Sequence, residues 1–148
     1  MTRIVVAGAS GWVGRELVRA VAAAADLSLA GAVSRSAAGK DAGETAGGPA
    51  VGVAVAASLA EALATPSDVV IDYTKPHVVK GHALEALAAG RHVVIGTSGL
   101  AADDYAEIDA AARAAGRGVI AAGNFSITAS LLKRFATMAA KHVPDVEI

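Results

Sequence analysis

With 148 residues, 54% of them hydrophobic and 18% charged, the chain has room for one packed core and little for a second, and it is too apolar to stay disordered. A formal charge of −1 and the lack of any basic stripe leave no electrostatic case for a nucleic-acid partner. The absence of cysteine rules out disulfides, thiolate zinc sites and a catalytic thiol, and without a long apolar run the chain is expected to be soluble and cytoplasmic, with no membrane partner.

In chain order, Ile4–Ala7 is a continuous apolar run halted by glycine, which predicts a buried strand. Trp12 to Ala25 follows as a helix, with Val13, Leu17, Val18 and Val21 at helical spacing. A second strand is expected over Ser28–Val33, and then a polar, glycine-rich loop from Ser34 to Ala50, long enough to suggest a function. Alternation at Val51, Val53 and Val55 predicts a third, less buried strand, and Ser58 can cap a short helix through Ala64.

The second half repeats the pattern more strongly. Asp68–Asp72 reads as a strand, and Pro76 suits the first turn of a helix running to Ala89, which Gly90 ends. His92–Ile95 is the next strand, a helix over Ala102–Ala115 stops at Gly116, and Gly118–Ala121 is a further strand. A last helix is expected from Thr128 to His142, with Pro144 to stop it. Strands that alternate with helices in this way need crossover connections. The expected fold is therefore α/β, a Rossmann-type doubly wound and mostly parallel sheet covered on both faces.

Gly8, Ala9, Ser10, Gly11, Trp12, Val13 and Gly14 link the first strand to the first helix. A phosphate at a helix start meets unpaired N–H groups and the positive end of the helix dipole, provided side chains stay clear. Gly8 suits the sharp turn, Gly11 a close approach by the pyrophosphate, and Gly14 close helix–sheet packing. An ordinary tight turn would also use glycine, but the position after an N-terminal buried strand favours a dinucleotide.

Some twenty residues on, where an NAD-selective domain places an acid, stand Ser34, Arg35 and Ser36. A carboxylate would repel a 2′-phosphate, whereas an arginine pairs with it, so NADPH is the expected coenzyme, with NADH use left open. Lys40 is a second candidate cation, read in preference as a surface residue. Gly96, Thr97, Ser98 and Gly99 after the strand at 92–95 are small enough to receive a carboxamide such as that of nicotinamide. The stretch Asp72-Tyr73-Thr74-Lys75-Pro76, with Thr74 as its candidate contact, and the Gly123–Ile127 stretch face the same edge. His77, His82, His92 and His142 are scattered and read as surface or cap residues, not metal ligands. Asp103, Asp104, Glu107 and Asp109 read as a helix start and its solvated face.

Five stretches, VAGASGWVGREL, KDAGETAG, DVVIDYTKPHVV, VVIGTSG and AGNFSI, together cover most of the chain. In this order and spacing the chain resembles the N-terminal part of the 4-hydroxy-tetrahydrodipicolinate reductase family of lysine and diaminopimelate biosynthesis. The resemblance implies that Gly8 through Val13 hold the pyrophosphate, Ser34 and Arg35 the adenosine ribose end, and Gly96, Thr97 and Ser98 the nicotinamide side. It implies that Ala122, Gly123, Asn124 and Phe125 line the nicotinamide pocket near a hinge. It further implies a dinucleotide-binding domain over 1–125, and over 126–148 a hinge and the beginning of a truncated C-terminal substrate domain.

Two positions depart from the family pattern. Many members carry an acid where Ser34 stands, and Thr128 replaces the usual glycine after NFSI. The family's sequence runs on past Val146-Glu147-Ile148 into a histidine pair, a lysine and a Pro-Ser-Gly-Thr segment that bind the carboxylates of a cyclic imine dicarboxylate and supply a proton. No catalytic residue is therefore expected within these 148 residues, and the homotetramer expected of the intact family is built largely through the absent part. A stand-alone NADP-binding module is the alternative, disfavoured by the apolar Leu131, Leu132, Phe135 and Met138 on the last helix. A semialdehyde or homoserine dehydrogenase is disfavoured by the lack of cysteine and by the NFSI stretch.

Overall fold

The computed structural model describes residues 1–122 and 125–143. Its first strand, β1 (Thr2–Ala7), lies inside a six-stranded sheet and not at an edge. The other strands are β2 (Leu27–Val33), β3 (Val55–Ala56), β4 (Val69–Asp72), β5 (His92–Ile95) and β6 (Val119–Ala121). Their order is β3-β2-β1-β4-β5-β6, and every neighbouring pair is parallel. The chain thus starts centrally, winds out to β3, then returns across the sheet to set β4 beside β1. That return is the topological switch at which open α/β sheets bind ligands.

The helices are α1 (Trp12–Ala23), α2 (Ala42–Thr45), α3 (Leu59–Leu63), α4 (Pro76–Ala88), α5 (Ala102–Ala115) and α6 (Ile127–Ala139). Alternation along β1 divides the core. Ile4 and Val6 point to one face and pack with Val18 and Val21 of α1 and Ala42 and Ala46 around α2. Val5 and Ala7 point to the other and pack with Leu59 of α3, Val79 and Leu87 of α4, and Ile108 of α5. Each fully buried Val, Leu or Ile contributes roughly 1.5–3 kcal/mol by leaving water, so these two layers supply the main stabilisation.

Most predicted elements match to within a residue or two. α1 ends at Ala23 rather than Ala25, and β4 begins at Val69, just after Asp68, whose carboxylate receives hydrogen bonds from the Arg3 N–H (2.8 Å), Nε (3.1 Å) and Nη2 (2.7 Å). Ser58 caps α3 as expected, accepting from the Glu61 N–H, while the Glu61 carboxylate reaches back to the Ala57 N–H at 2.9 Å. Gly116 ends α5 in the left-handed conformation.

Three expectations need correction. The third strand is confined to Val55–Ala56, and Val51 and Val53 lie outside it, partly buried against the α1 side of the core. The polar stretch 34–50 is not a plain loop, since it holds a 3-10 turn at Arg35–Ala37 and the short α2. Asp41 ties this stretch together: its carboxylate accepts N–H groups from Gly43 (2.8 Å), Glu44 (3.2 Å), Val51 (3.1 Å) and Gly52 (2.9 Å). The hydrogen bond from Val51 leads the interactions that hold the Asp41 carboxyl below its ordinary range.

The acidic face of α5 is likewise more than a solvated surface. Lys80 of α4 reaches Asp104 at 3.0 Å and Glu107 at 2.5 Å, bridging the two helices. α6 begins at Ile127, one residue earlier than expected, capped by Ser126, ends at Ala139, three residues before the expected His142, and contains no buried residue. Its Leu131, Leu132, Phe135 and Met138 are 44–63% exposed. The expected stop at Pro144 and the strand start at Val146-Glu147-Ile148 fall outside the described residues. Among the described residues no helix is long and apolar enough to cross a membrane.

Candidate functional site

The carboxyl ends of the strands form one row. Ala7 of β1 pairs with Val33 of β2 and with Asp72 of β4, Asp72 pairs with Ile95 of β5, and Ile95 pairs with Ala121 of β6. Every sequence-predicted site loop leaves the sheet along this row. Thus the loops at 8–14, 34–36, 73–74, 96–99 and the start of the 122–126 connection share one edge.

The loop after β1 is held by backbone. Gly8 and Ala9 both donate to the Val33 carbonyl at 3.0 Å, which draws the loop against the end of β2. Gly8 has φ +87°, and a Cβ there would lie 2.4 Å from the Tyr73 carbonyl oxygen. A Cβ on Gly14 would lie 2.0 Å from the Gly8 carbonyl oxygen, so α1 can dock this closely only with glycine. Gly11 differs: a Cβ there meets only the Gly8 oxygen, at 3.2 Å. The fold alone demands glycine less at Gly11 than at the other two. Gly11 is also the N-cap of α1, with no side-chain cap and no acidic residue in the first turn. The first-turn N–H groups and the positive end of the dipole thus meet no carboxylate from their own turn. Trp12 is 94% exposed beside them, and Val13 is also exposed.

Next to that helix start lies a cluster of three hydroxyls. Ser10 Oγ is 2.6 Å from Ser34 Oγ, Ser34 Oγ is 3.2 Å from Ser36 Oγ, and Ser10 Oγ is 3.4 Å from Ser36 Oγ. Ser34 is buried, whereas Arg35, Ser36 and Lys40 are exposed. Arg15 braces the same loop by donating from Nε to the Ser10 carbonyl at 3.0 Å, a contact that residue spacing does not disclose.

Asp72 opens one of the predicted strand-end stretches, but its burial and partners were not foreseen from the sequence. Only 1% exposed at the end of β4, its carboxylate accepts from the Thr74 N–H (2.9 Å), Thr74 Oγ1 (2.6 Å) and Thr97 Oγ1 (3.1 Å). His82, ten residues on in α4, faces it with Nδ1 2.8 Å from Asp72 Oδ2. Burial pushes the Asp72 carboxyl up, but the hydrogen bonds from His82 and Thr74 outweigh it and hold the group below its ordinary value. The reading of His82 as a surface or cap residue is thereby corrected. Its side chain is 19% exposed and is turned onto a buried carboxylate. His77 and His142 are exposed, and His92 accepts the Gly118 N–H at Nδ1, 2.9 Å away.

Across the crevice, Gly96 donates to the Asp72 carbonyl at 3.0 Å and lies under the Tyr73 ring, where a Cβ would come within 2.0 Å of the ring. Thr97 is buried and Ser98 exposed. Ala122 donates to the Ile95 carbonyl at 3.1 Å, and the Phe125 ring sits 6.4 Å from that of Tyr73. Gly123 and Asn124, also predicted site residues, lie outside the described residues.

The described edge fits a dinucleotide on three counts: a glycine-lined, uncapped helix start, hydroxyls beside it, and small residues at the far strand end. Comparison with known proteins agrees in kind. The family model described as "Dihydrodipicolinate reductase, N-terminus" matches residues 2–125. Proteins named 4-hydroxy-tetrahydrodipicolinate reductase from Bacillus pumilus and Desulfitobacterium hafniense are 35% and 39% identical over 146 and 148 residues. Each alignment takes in 99% of this chain and 55% of the relative, so the chain spans about half the length of these curated relatives.

Among solved structures, the dipicolinate-bound dihydrodipicolinate reductase of Paenisporosarcina sp. TG-14 superposes with a TM-score of 0.78 at 30% identity, over 95% of this chain and 54% of that one. The WlbA dehydrogenase of Chromobacterium violaceum, in complex with NADH and UDP-GlcNAcA, superposes with a TM-score of 0.68 at 26% identity, over 82% of this chain and 34% of that one. Taken with the sheet order and the glycine-lined crevice, the match over residues 2–125 means that the chain belongs to the family of dihydrodipicolinate reductase N-terminal domains.

Proposed function

We propose that this chain is the coenzyme-binding part of a reductase that converts 4-hydroxy-tetrahydrodipicolinate to tetrahydrodipicolinate, and that it binds NADPH in preference to NADH. The observation that carries this reading is the uncapped start of α1 at Gly11, set beside the Ser10–Ser34–Ser36 hydroxyls at the carboxyl edge of the sheet. Residues 8–13 then hold the pyrophosphate with backbone N–H groups. Ser34 and Ser36 offer hydroxyl donors and Arg35 a cation to a 2′-phosphate, with no carboxylate there to repel it. Thr74, Gly96, Thr97, Ser98, Ala122, Gly123, Asn124 and Phe125 form the nicotinamide side.

A bound reduced nicotinamide would supply the hydride for the cyclic imine dicarboxylate. The residues of this chain contribute orientation: a crevice floor of backbone and threonine hydroxyls fixes which ring face is presented. On this reading 1–125 is the coenzyme domain and 126–148 the hinge into the substrate-binding part. Contacts with the substrate's carboxylates, the proton donor and the tetramer are assigned to sequence that the relatives carry beyond this span.

Trp12 is the single tryptophan, at the proposed pyrophosphate site. Titration of the chain with NADPH and NADH, followed by Trp12 quenching and by calorimetry, is expected to saturate with both and more tightly with NADPH. No turnover is expected when substrate is generated in situ, because the proton donor is placed elsewhere. A folded chain that gives no saturable response to either coenzyme would sink the reading.

A further inference from the structure

Asp72 joins three separate pieces of the crevice. It ends β4, its carboxylate holds the Thr74 N–H and hydroxyl in the next loop, and it takes the Thr97 hydroxyl from the loop after β5. An ionised carboxylate is an acceptor only, so the 2.8 Å contact with His82 requires Nδ1 to carry a proton and donate. The carboxylate is buried, and a buried charge keeps a fixed orientation only while its oxygens are hydrogen-bonded. Thr74 Oγ1 and Thr97 Oγ1 both approach Oδ1, while His82 takes Oδ2. Without the imidazole, Oδ2 loses a short, charge-assisted bond while Oδ1 keeps its donors, and the buried carboxylate is driven to turn so that Oδ2 reaches another donor. Any rotation carries Thr74 and Thr97 with it.

We propose that His82 is a positioning residue: acting through Asp72, it fixes Thr74 and Thr97 and thereby sets the nicotinamide side of the crevice. This rests on the coenzyme reading above. His82 itself lies on α4 and is not one of the coenzyme-contacting residues proposed there. Its effect is confined to one half of the site, because the adenosine half is held by Ser34, Ser36 and the glycine loop, none of which shares a hydrogen bond with Asp72.

The experiment uses the unaltered chain, His82→Leu and His82→Asn, since the Asn side-chain amide can place a donor near the position of Nδ1. Each is titrated with NADPH and with 2′,5′-ADP, which carries only the adenosine half, after thermal unfolding has shown it to be folded. His82→Leu is expected to bind NADPH about tenfold more weakly, the loss that goes with one hydrogen bond to a charged group. It is expected to leave 2′,5′-ADP unchanged, and His82→Asn is expected to recover most of the NADPH affinity.

Equal weakening of both ligands would overturn the proposal, since it would mean general destabilisation, as would a His82→Leu chain that binds NADPH like the unaltered one. Should His82→Leu fail to fold, His82→Phe, which keeps a ring of similar size and removes the donor to Asp72, must weaken NADPH while sparing 2′,5′-ADP. Failure of the unaltered chain to bind NADPH at all would instead strike the coenzyme reading itself.

Discussion

At the scale of single residues, coenzyme choice turns on position 34. Ser34 is buried with its hydroxyl 2.6 Å from Ser10 and 3.2 Å from Ser36, so a carboxylate placed there would accept from both neighbours and remain ionised. It would also accept from ribose hydroxyls and repel a 2′-phosphate. Ser34→Asp is therefore expected to shift the NADPH-to-NADH affinity ratio about tenfold or more toward NADH, through loss of NADPH binding. Arg35→Ala is expected to weaken NADPH by about tenfold and leave NADH nearly unchanged, because it removes one charge-assisted contact to the extra phosphate. Paired titrations of the two coenzymes check both. If Arg35→Ala weakens the two equally, the arginine is not directed at the 2′-phosphate.

At the scale of elements, the glycine loop acts by letting α1 approach the sheet. Gly14, in the first turn of α1, lies so near Gly8 that a Cβ would be 2.0 Å from a carbonyl oxygen, with no flexible side chain to yield. Gly14→Ala must push the helix outward and open the Val18–Val21 packing against Ile4 and Val6. A cost of about 3 kcal/mol is expected, at the upper end for overpacking. It should show as a lower denaturant midpoint together with weaker coenzyme binding. Unchanged stability would show that the helix docks less tightly than the geometry implies.

The placement of this loop was legible in the sequence, because it depends on local signals: an apolar run, a glycine turn and an apolar face at helical spacing. The same holds for α3, with its Ser58 cap, and for α5, which Gly116 ends. The internal order of 34–54 was less legible. Asp41-Ala42-Gly43-Glu44 does carry the Asp-x-x-Glu pattern of a helix start, but the glycine-rich polar sequence around it masked it. The contacts with Val51 and Gly52 are ten and eleven residues away and leave no periodic trace. The Asp72–His82 pair was illegible for a similar reason. A strand residue and a helix residue ten positions apart meet only once the crossover is built, and an acid that ends a strand looks the same whether it is solvated or buried.

At the scale of the whole molecule, carboxylates hold segments together that hydrophobic packing alone would leave loose. Asp68 fastens the start of β4 to Arg3 at the start of β1, Asp41 orders the stretch leading to β3, and Asp72 joins the β4 and β5 loops to α4. Hydrogen bonding to Arg3 lowers the Asp68 carboxyl, backbone N–H groups lower that of Asp41, and for Asp72 the His82 and Thr74 bonds overcome the opposing effect of burial. Each of the three thus binds its proton less readily in the folded chain than in the unfolded one. As pH drops, the unfolded chain takes up more protons. The stabilisation is therefore complete above the ordinary carboxylate range, near about pH 4, and disappears as pH falls through the lower folded values. Denaturant midpoints measured from pH 7 to pH 3 are expected to fall chiefly below about pH 4. Asp41 and Asp68 are more exposed, and each contributes modestly there. Asp72 is buried, so solvent screens its hydrogen bonds less than those of the other two, and its protonation contributes to the fall because its folded value lies below the ordinary one. Asp72→Asn is accordingly expected to begin from a lower midpoint at pH 7 and to lose less on acidification, so that the two curves converge toward pH 3. Parallel curves of equal steepness would mean that Asp72 does not couple the crevice to the fold, and that acid unfolding begins at the outer carboxylates instead.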